Sequence, residues 1–148
     1  VYSRTTAPNN YGTFMAVVSD ATPTATRIGL SADATSANLT VEGINYNGSR
    51  TMNVSSDFRG FLGATRVDAN SWDIVNRSST VNYGVASVGL PDQPIYILAR
   101  NYENSGTDNY STANIAFASI GWGMTLTDLQ NLRTIVNTYQ TALGRNTP

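Results

Sequence analysis

The sequence IAFASIGWGMTLTDLQNLRTIVNTYQTALGR, residues 115–145, decides the fold. It joins an apolar strand to a Gly-x-Gly turn and then to an amphipathic segment. From 126 to 143 the apolar residues recur at spacings of three and one, which predicts one α-helix with a single apolar stripe. A helix of this kind must cover a sheet or a partner chain. The stripe comprises Leu126, Leu129, Leu132, Ile135, Val136, Tyr139, Ala142 and Leu143.

Both ends of this helix carry capping signals. Thr127 with Gln130 fits a capping box, and Thr125 with Asp128 is a competing N-cap. The glycine that follows the stripe supplies the left-handed residue that often comes after a last helical turn. We therefore expect the helix to occupy about 126–143.

The rest of the chain is typical of β-strand. Strand-like runs recur at roughly 8–12-residue spacing and are separated by clusters of Asn, Gly, Pro, Asp and Ser, as in an all-β sandwich or barrel. The last strand is expected to be buried at Ile115, Phe117 and Ile120. A chain of 148 residues is long enough for one ordinary core, so we predict a single domain over 1–148. The predicted strands are 13–19, 24–31, 58–67, 71–77, 80–88, 95–100 and 113–120, together with a hairpin over 38–54 that turns at Asn47-Gly48.

Charge and composition limit the classes of partner. The net charge is −1, so no basic surface of the kind that binds nucleic acid is expected. No apolar run approaches the roughly 20 residues of a membrane-spanning helix, so no membrane span is expected. Only 13% of the residues are charged, and the polar residues are mostly Ser, Thr, Asn and Gly. This composition suits an extracellular or virion protein.

The chain contains no cysteine and no histidine. Disulfides, thiol nucleophiles, Ser-His-Asp triads and the common zinc sites are excluded, because each needs a thiol or an imidazole. A retaining glycosidase would need two carboxylates about 5–5.5 Å apart. The two glutamates, Glu42 and Glu103, form no paired motif, and the aspartates fit turns and strand ends. We expect no enzymatic activity, no metal and no cofactor.

Several segments, in order, carry a family resemblance. They are FLGATR (61–66), SWDIVNRSS (71–79), LPDQPIYILARN (90–101) and the closing IAFASIG and ALGR elements within 115–145. Together they resemble the concanavalin A-like, laminin-G-like β-sandwich domains of structural proteins from tailed bacteriophages and prophages, and Leu143-Gly144-Arg145 is the most specific part. The resemblance implies an all-β jelly-roll β-sandwich of antiparallel strands with one C-terminal α-helix. It also implies a place on the virion surface, and it brings no catalytic motif.

The polar segment 101–112, NYENSGTDNYST, is predicted to be a surface loop and is the best candidate for binding a ligand. Sugars are bound by flat aromatic faces together with amide and carboxylate groups, and this segment supplies both. Calcium binding and a plain solvated loop are the alternatives, although the spacing matches no EF-hand loop. The candidate ligand-binding residues are Asn101, Tyr102, Glu103, Asn104, Asp108, Asn109 and Tyr110.

Three further aromatic residues are candidates for contact with a sugar. Tyr46 lies between two asparagines at a hairpin tip and is a second ligand-binding candidate, with simple turn chemistry as its alternative. Trp72 alternates with Ile74 in a strand, and Trp122 lies between two glycines where the last strand meets the helix. We expect both tryptophans to be packing residues.

These observations predict a non-enzymatic module of a bacteriophage particle, in a fibre, tail or capsid decoration. Its expected task is adhesion to glycans of the host or its surroundings. A purely structural cementing or capping domain is the first alternative, and a carbohydrate-active hydrolase is kept open by the fold type alone. The expected partners are other virion subunits, including further copies of the chain, and a glycan. The expected location is the virion surface, outside the cell.

Overall fold

The computed structural model describes residues 1–5, 11–19, 26–33, 38–46, 50–53, 57–102 and 106–145. This part of the chain folds into thirteen strands followed by one helix, so an all-β class with a C-terminal helix is confirmed. The jelly-roll topology stays a prediction. The strands are β1 (Tyr2–Ser3), β2 (Tyr11–Val18), β3 (Arg27–Asp33), β4 (Asn38–Tyr46), β5 (Arg50–Asn53), β6 (Gly60–Phe61), β7 (Gly63–Thr65), β8 (Trp72–Val75), β9 (Thr80–Tyr83), β10 (Tyr96–Ile97), β11 (Arg100–Tyr102), β12 (Gly106–Asp108) and β13 (Ile115–Phe117), and the helix is α1 (Leu126–Ala142).

The strands form three sheets. The largest has the order β12-β11-β2-β3-β4-β5, with β10 also paired to β2, and the two smaller sheets have the orders β13-β1-β6 and β7-β8-β9. Among the described strands one pairing, β11 with β2, is parallel, which departs from the purely antiparallel sandwich that was expected. Its cause is local. Strand β10 runs antiparallel to β2, and the chain then reverses at Leu98, whose φ is +63°, so that β11 returns along the same edge of β2.

Neighbouring strands pair as expected in the predicted hairpin over 38–54, where β4 and β5 are antiparallel, and β7 with β8 and β8 with β9 are antiparallel too. The turn at Asn47-Gly48 lies outside the described residues. Four predicted strands differ from the structure: 58–67 is divided into β6 and β7, 80–88 is reduced to β9, 95–100 is divided by the reversal at Leu98, and 113–120 is reduced to β13. Ile115 and Phe117 are half-buried, and Ile120 lies beyond the strand and is 62% exposed instead of buried.

The main core lies between the largest sheet and the β7-β8-β9 sheet. Because successive side chains of a strand point to opposite faces, Trp72 and Ile74 of β8 enter this core while Val75 faces away from it. Phe14 of β2 and Phe58 pack here with ring centroids 6.4 Å apart. The buried members are Val1, Phe14, Met15, Leu30, Ala32, Met52, Phe58, Leu62, Trp72, Ile74 and Ala113.

A second core lies between α1 and the outer faces of β1, β6 and β8. Leu129 and Val136 of α1 pack with Tyr2, Phe61 and Val75. These three strand residues each follow or precede a residue of the main core, so the short strands separate two apolar layers. The helix therefore covers the outside of a sandwich, as the sequence predicted.

Both ends of α1 are capped. The Oγ1 atom of Thr125 accepts a hydrogen bond from the Asp128 backbone N–H at 3.2 Å, so the N-cap is the competing candidate and the Thr127 capping box is wrong. At the other end Gly144 has φ +64°, and its N–H donates to the Thr141 carbonyl while the Arg145 N–H donates to the Gln140 carbonyl. These two bonds form a Schellman motif.

The apolar stripe of α1 is only partly buried, which corrects the expectation of one continuous covered face. Leu129 and Val136 are buried, but Ile135, Tyr139 and Leu143 are exposed large apolar residues. The reason is geometric. Ile135, Tyr139 and Leu143 lie to one side of the line that joins Leu129 and Val136 along the helix. The strand residues of the second core pack against Leu129 and Val136 and not against these three.

One carboxylate ties the chain before β6 to the end of β8. The Arg59 Nε atom donates to Asp57 Oδ1 at 3.0 Å, and Arg77 Nη1 donates to Asp57 Oδ2 at 2.8 Å. The hydrogen bond from Arg59, helped by Arg77, lowers the pKa of Asp57 from 3.8 to about 2. The lowered pKa means that the folded state favours the ionised carboxylate.

We expect Asp57→Asn to lower the free energy of unfolding by about 1 kcal/mol at neutral pH, a modest value because the two arginines are partly exposed. Because the pKa of Asp57 is lower in the folded state, its contribution is present above pH 3.8 and is lost as the pH falls through about 2. Urea unfolding of the two proteins across this range should show the difference disappearing in acid. A stability difference between the two proteins that persists unchanged near pH 2 would contradict the lowered pKa of Asp57.

Candidate functional site

The predicted binding segment 101–112 is not a free loop, because β11 and β12 pair within it as a hairpin at the edge of the largest sheet. Asn101 is buried, and its Nδ2 donates to the Pro94 carbonyl at 2.8 Å. Tyr102 is half-buried, with its ring 5.2 Å from the Arg100 guanidinium carbon. Both side chains serve the hairpin and its contact with the preceding chain.

The remaining candidates of that segment differ in their contacts and exposure. Asp108 forms a two-bond ion pair with Arg100, in which Nε donates to Oδ1 at 2.7 Å. Asn109 has φ +47°, and its carbonyl accepts the Thr13 N–H. Tyr110 is 64% exposed. Of the described candidates, Tyr102 and Asp108 both contact Arg100. Glu103, Asn104 and the side chain of Tyr46 lie outside the described residues.

Trp122 is the most exposed large apolar residue of the described chain, at 96%, so the expectation that it packs is wrong. Trp72 is 1% exposed and packs as expected. The difference arises from the glycine after Trp122. A Cβ atom at Gly123 would lie 1.9 Å from the Arg66 carbonyl oxygen, so the main chain of the loop itself fills the space against β7 and the indole points away.

The loop that carries Trp122 is held firmly at its base. The Met124 N–H donates to Thr65 Oγ1 at 2.9 Å, and this hydroxyl donates to the Met124 carbonyl at 2.7 Å. Thr65 is the last residue of β7, and Met124 directly precedes the N-cap of α1. The main chain close to Trp122 is therefore anchored between a strand and a helix.

Next to Trp122 lies a groove of about 440 Å³. Its rim includes Leu90, Ile120 and Trp122, which are 74%, 62% and 96% exposed. Its wall includes the buried Phe61 and Leu129 of the second core. We call this feature the Trp122 groove. Its lining is mostly apolar, and Arg66 is the one charged side chain among the lining residues.

Arg66 is held by the fold and does not act as an acid or base. Its Nη1 donates to the Val85 carbonyl at 3.0 Å, and its guanidinium carbon lies 5.9 Å from the Trp72 ring centre. Burial lowers the pKa of Arg66 below its ordinary value, partly offset by the charge of Asp68. An arginine stays protonated in proteins despite such a shift.

Three aspartates have structural partners instead of a shared cleft. Asp57 and Asp108 are paired with arginines, and Asp68 accepts hydrogen bonds from the backbone of Asn70 and Ser71. The hydrogen bond from the Ser71 hydroxyl, with those backbone bonds, lowers the pKa of Asp68. In the described ranges no three acidic side chains come together to hold a metal ion. The side chains of Glu42 and Glu103 lie outside them.

Searches against protein-family models, curated proteins and solved structures each find no match for this chain. Within the described ranges of the chain, no helix is long and apolar enough to cross a membrane. The geometry of the groove is therefore the main guide to function.

Proposed function

We propose that this protein is a non-enzymatic assembly module that docks onto a neighbouring protein subunit through the Trp122 groove. One observation carries the proposal: an almost fully exposed tryptophan stands on a firmly held loop at the rim of an apolar groove. Exposed aromatic anchors next to apolar pockets are the residues that supply most of the binding energy in protein interfaces. Patches of this kind on a folded surface mark interaction sites.

The groove suits a protein surface better than a sugar. Sugar sites combine an aromatic face with several amide or carboxylate groups that bind hydroxyls. Here the polar side chains of the lining are Arg66, which is held by Val85, Thr65, whose hydroxyl is occupied by Met124, and Ser119, and none of them is an amide or a carboxylate. Depletion of charge around an aromatic centre is instead typical of the core of a protein interface.

The proposal places the module in a bacteriophage or prophage particle, outside the cell, where it would cap or cement neighbouring subunits. This part rests on the resemblance of 61–145 to virion β-sandwich domains and on the low content of charged residues. The jelly-roll arrangement of the sandwich belongs to the same proposal. A repeated particle supplies the subunits that such a groove would contact.

Glycan adhesion is the second candidate, and Tyr110 is the observation that favours it. Its ring is 64% exposed and follows Asn109 at the end of the β11–β12 hairpin. The two functions use different aromatic residues. A variant of Tyr110 can therefore be matched against a variant of Trp122.

Trp122→Ala is expected to reduce incorporation of the protein into its particle about 30-fold, because an interface anchor contributes about 2 kcal/mol or more. The measurement is the amount of variant retained on particles assembled in competition with the unchanged protein. Tyr110→Ala is the matched control and should be retained normally. Normal retention of Trp122→Ala, with glycan-array binding that is lost in Tyr110→Ala, would replace docking by adhesion.

A further inference from the structure

We propose that the occupant of the Trp122 groove is Trp122 of a second copy of this chain, so that two copies exchange tryptophans across a two-fold axis. The inference rests on the proposed docking function and names its partner. In an isologous contact the same surface serves both copies, so a protruding group and the cavity that receives it must lie side by side. Trp122 and the groove have this relation, because Trp122 forms part of the rim.

The chemistry of the groove matches an indole. Its lining includes apolar side chains of Met15, Leu30 and Phe61, and its volume is about 440 Å³. An inserted Trp122 would therefore meet mostly apolar walls.

Charge also favours a second copy. A two-fold contact places each charged group near its own counterpart, which repels when the patch carries one sign. The rim residues Leu90, Ile120 and Trp122 are uncharged, and Arg66 is drawn inward to the Val85 carbonyl. The protein as a whole has a net charge of −1, so copies do not repel each other strongly.

The exposed side of α1 extends the patch. Leu132 lines the groove, and Ile135, Tyr139 and Leu143 continue from it on the same side of the helix.

The available area is sufficient for a stable dimer. An aromatic side chain buries roughly 150–250 Å², and the patch holds two of them, Trp122 and Tyr139. Four more exposed aliphatic residues bring it toward the roughly 800 Å² that each partner contributes to a standard interface. These residues are Leu90, Ile120, Ile135 and Leu143.

The test uses sedimentation equilibrium of the purified chain with two single variants. Trp122→Ala removes the protruding indole, and Leu90→Arg places a charge at the groove mouth. Each is expected to raise the dimer dissociation constant about 30-fold or more. Both residues are largely exposed, so circular dichroism should show an unchanged fold. Tyr110→Ala is the control and should dimerise normally.

Mixing the two variants gives the sharpest result. A pair made of one Trp122→Ala copy and one Leu90→Arg copy keeps one indole facing one groove without the introduced charge, so the mixture should associate more strongly than either variant alone. A dimer that survives both substitutions would overturn the tryptophan exchange. Docking through the groove would then be tested by the particle-retention assay alone. A chain that stays monomeric at its highest soluble concentration would overturn the choice of a second copy, while loss of particle retention in Trp122→Ala would still support docking.

Discussion

Gly123→Ala is expected to destabilise the protein by about 3 kcal/mol, whereas Gly121→Ala should be close to neutral. A Cβ atom at Gly123 would lie 1.9 Å from the carbonyl oxygen of Arg66. The main chain fixes the position of the Cβ, and the oxygen is itself a main-chain atom, so the clash can be relieved only by moving the backbone. A Cβ atom at Gly121 meets nothing within 4 Å. The two glycines flank the same tryptophan and form a matched pair.

Urea unfolding of both variants measures their stability. The dimer dissociation constant of each variant is then measured under conditions in which the variant is folded. Because the loop at Gly123 must shift, Trp122 should lose its fixed position and association should weaken along with stability. Equal midpoints for the two variants would show that the close approach to Arg66 is absent. In that case the reason given for the exposure of Trp122 would be wrong.

Leu129→Ala is expected to lower the free energy of unfolding by about 2–5 kcal/mol, out of a total of about 5–15 kcal/mol for a domain of this size. Leu129 is 4% exposed and packs with Phe61 and Val136 in the second core. Ile135→Ala is the control on the same helix and should change stability by no more than about 0.5 kcal/mol, because Ile135 is exposed.

Thermal or urea unfolding of the monomeric protein measures both variants. If the two substitutions lower the free energy of unfolding equally, the helix would be rotated from the position described. The apolar side of α1 that we assign to a partner would then be buried in the core. If Ile135→Ala weakens dimerisation while leaving monomer stability unchanged, the division of the stripe between core and interface is supported.

The elements that the sequence predicted well are those set by local rules. The α1 boundaries, its Schellman end at Gly144 and the hairpins β4–β5 and β8–β9 follow from side-chain periodicity and turn residues. The departures depend on contacts between distant segments. The reversal at Leu98 and the parallel β11–β2 pair have no local signal, because they are set by the edge of β2.

The candidate site was harder to predict for the same reason. Residues 101–112 are polar, as loops usually are, yet the Arg100–Asp108 pair and the buried amide of Asn101 make them a hairpin. Trp122 is apolar and was expected to pack, but exposure was decided by the contact of Gly123 with Arg66. A tryptophan between two glycines, three residues before the helix N-cap Thr125, is the signal in the sequence that points to an exposed ring.

The accessibility of the Trp122 indole to acrylamide tests the central claim most directly. The chain has two tryptophans, and Trp72 is buried, so the difference between the unchanged protein and Trp122→Phe reports on Trp122 alone. We expect the Trp122 fluorescence to be quenched strongly in dilute monomer and to be protected, with a blue-shifted emission, once the copies associate. An indole that stays fully open to acrylamide in the associated protein would contradict the exchange of Trp122 between copies.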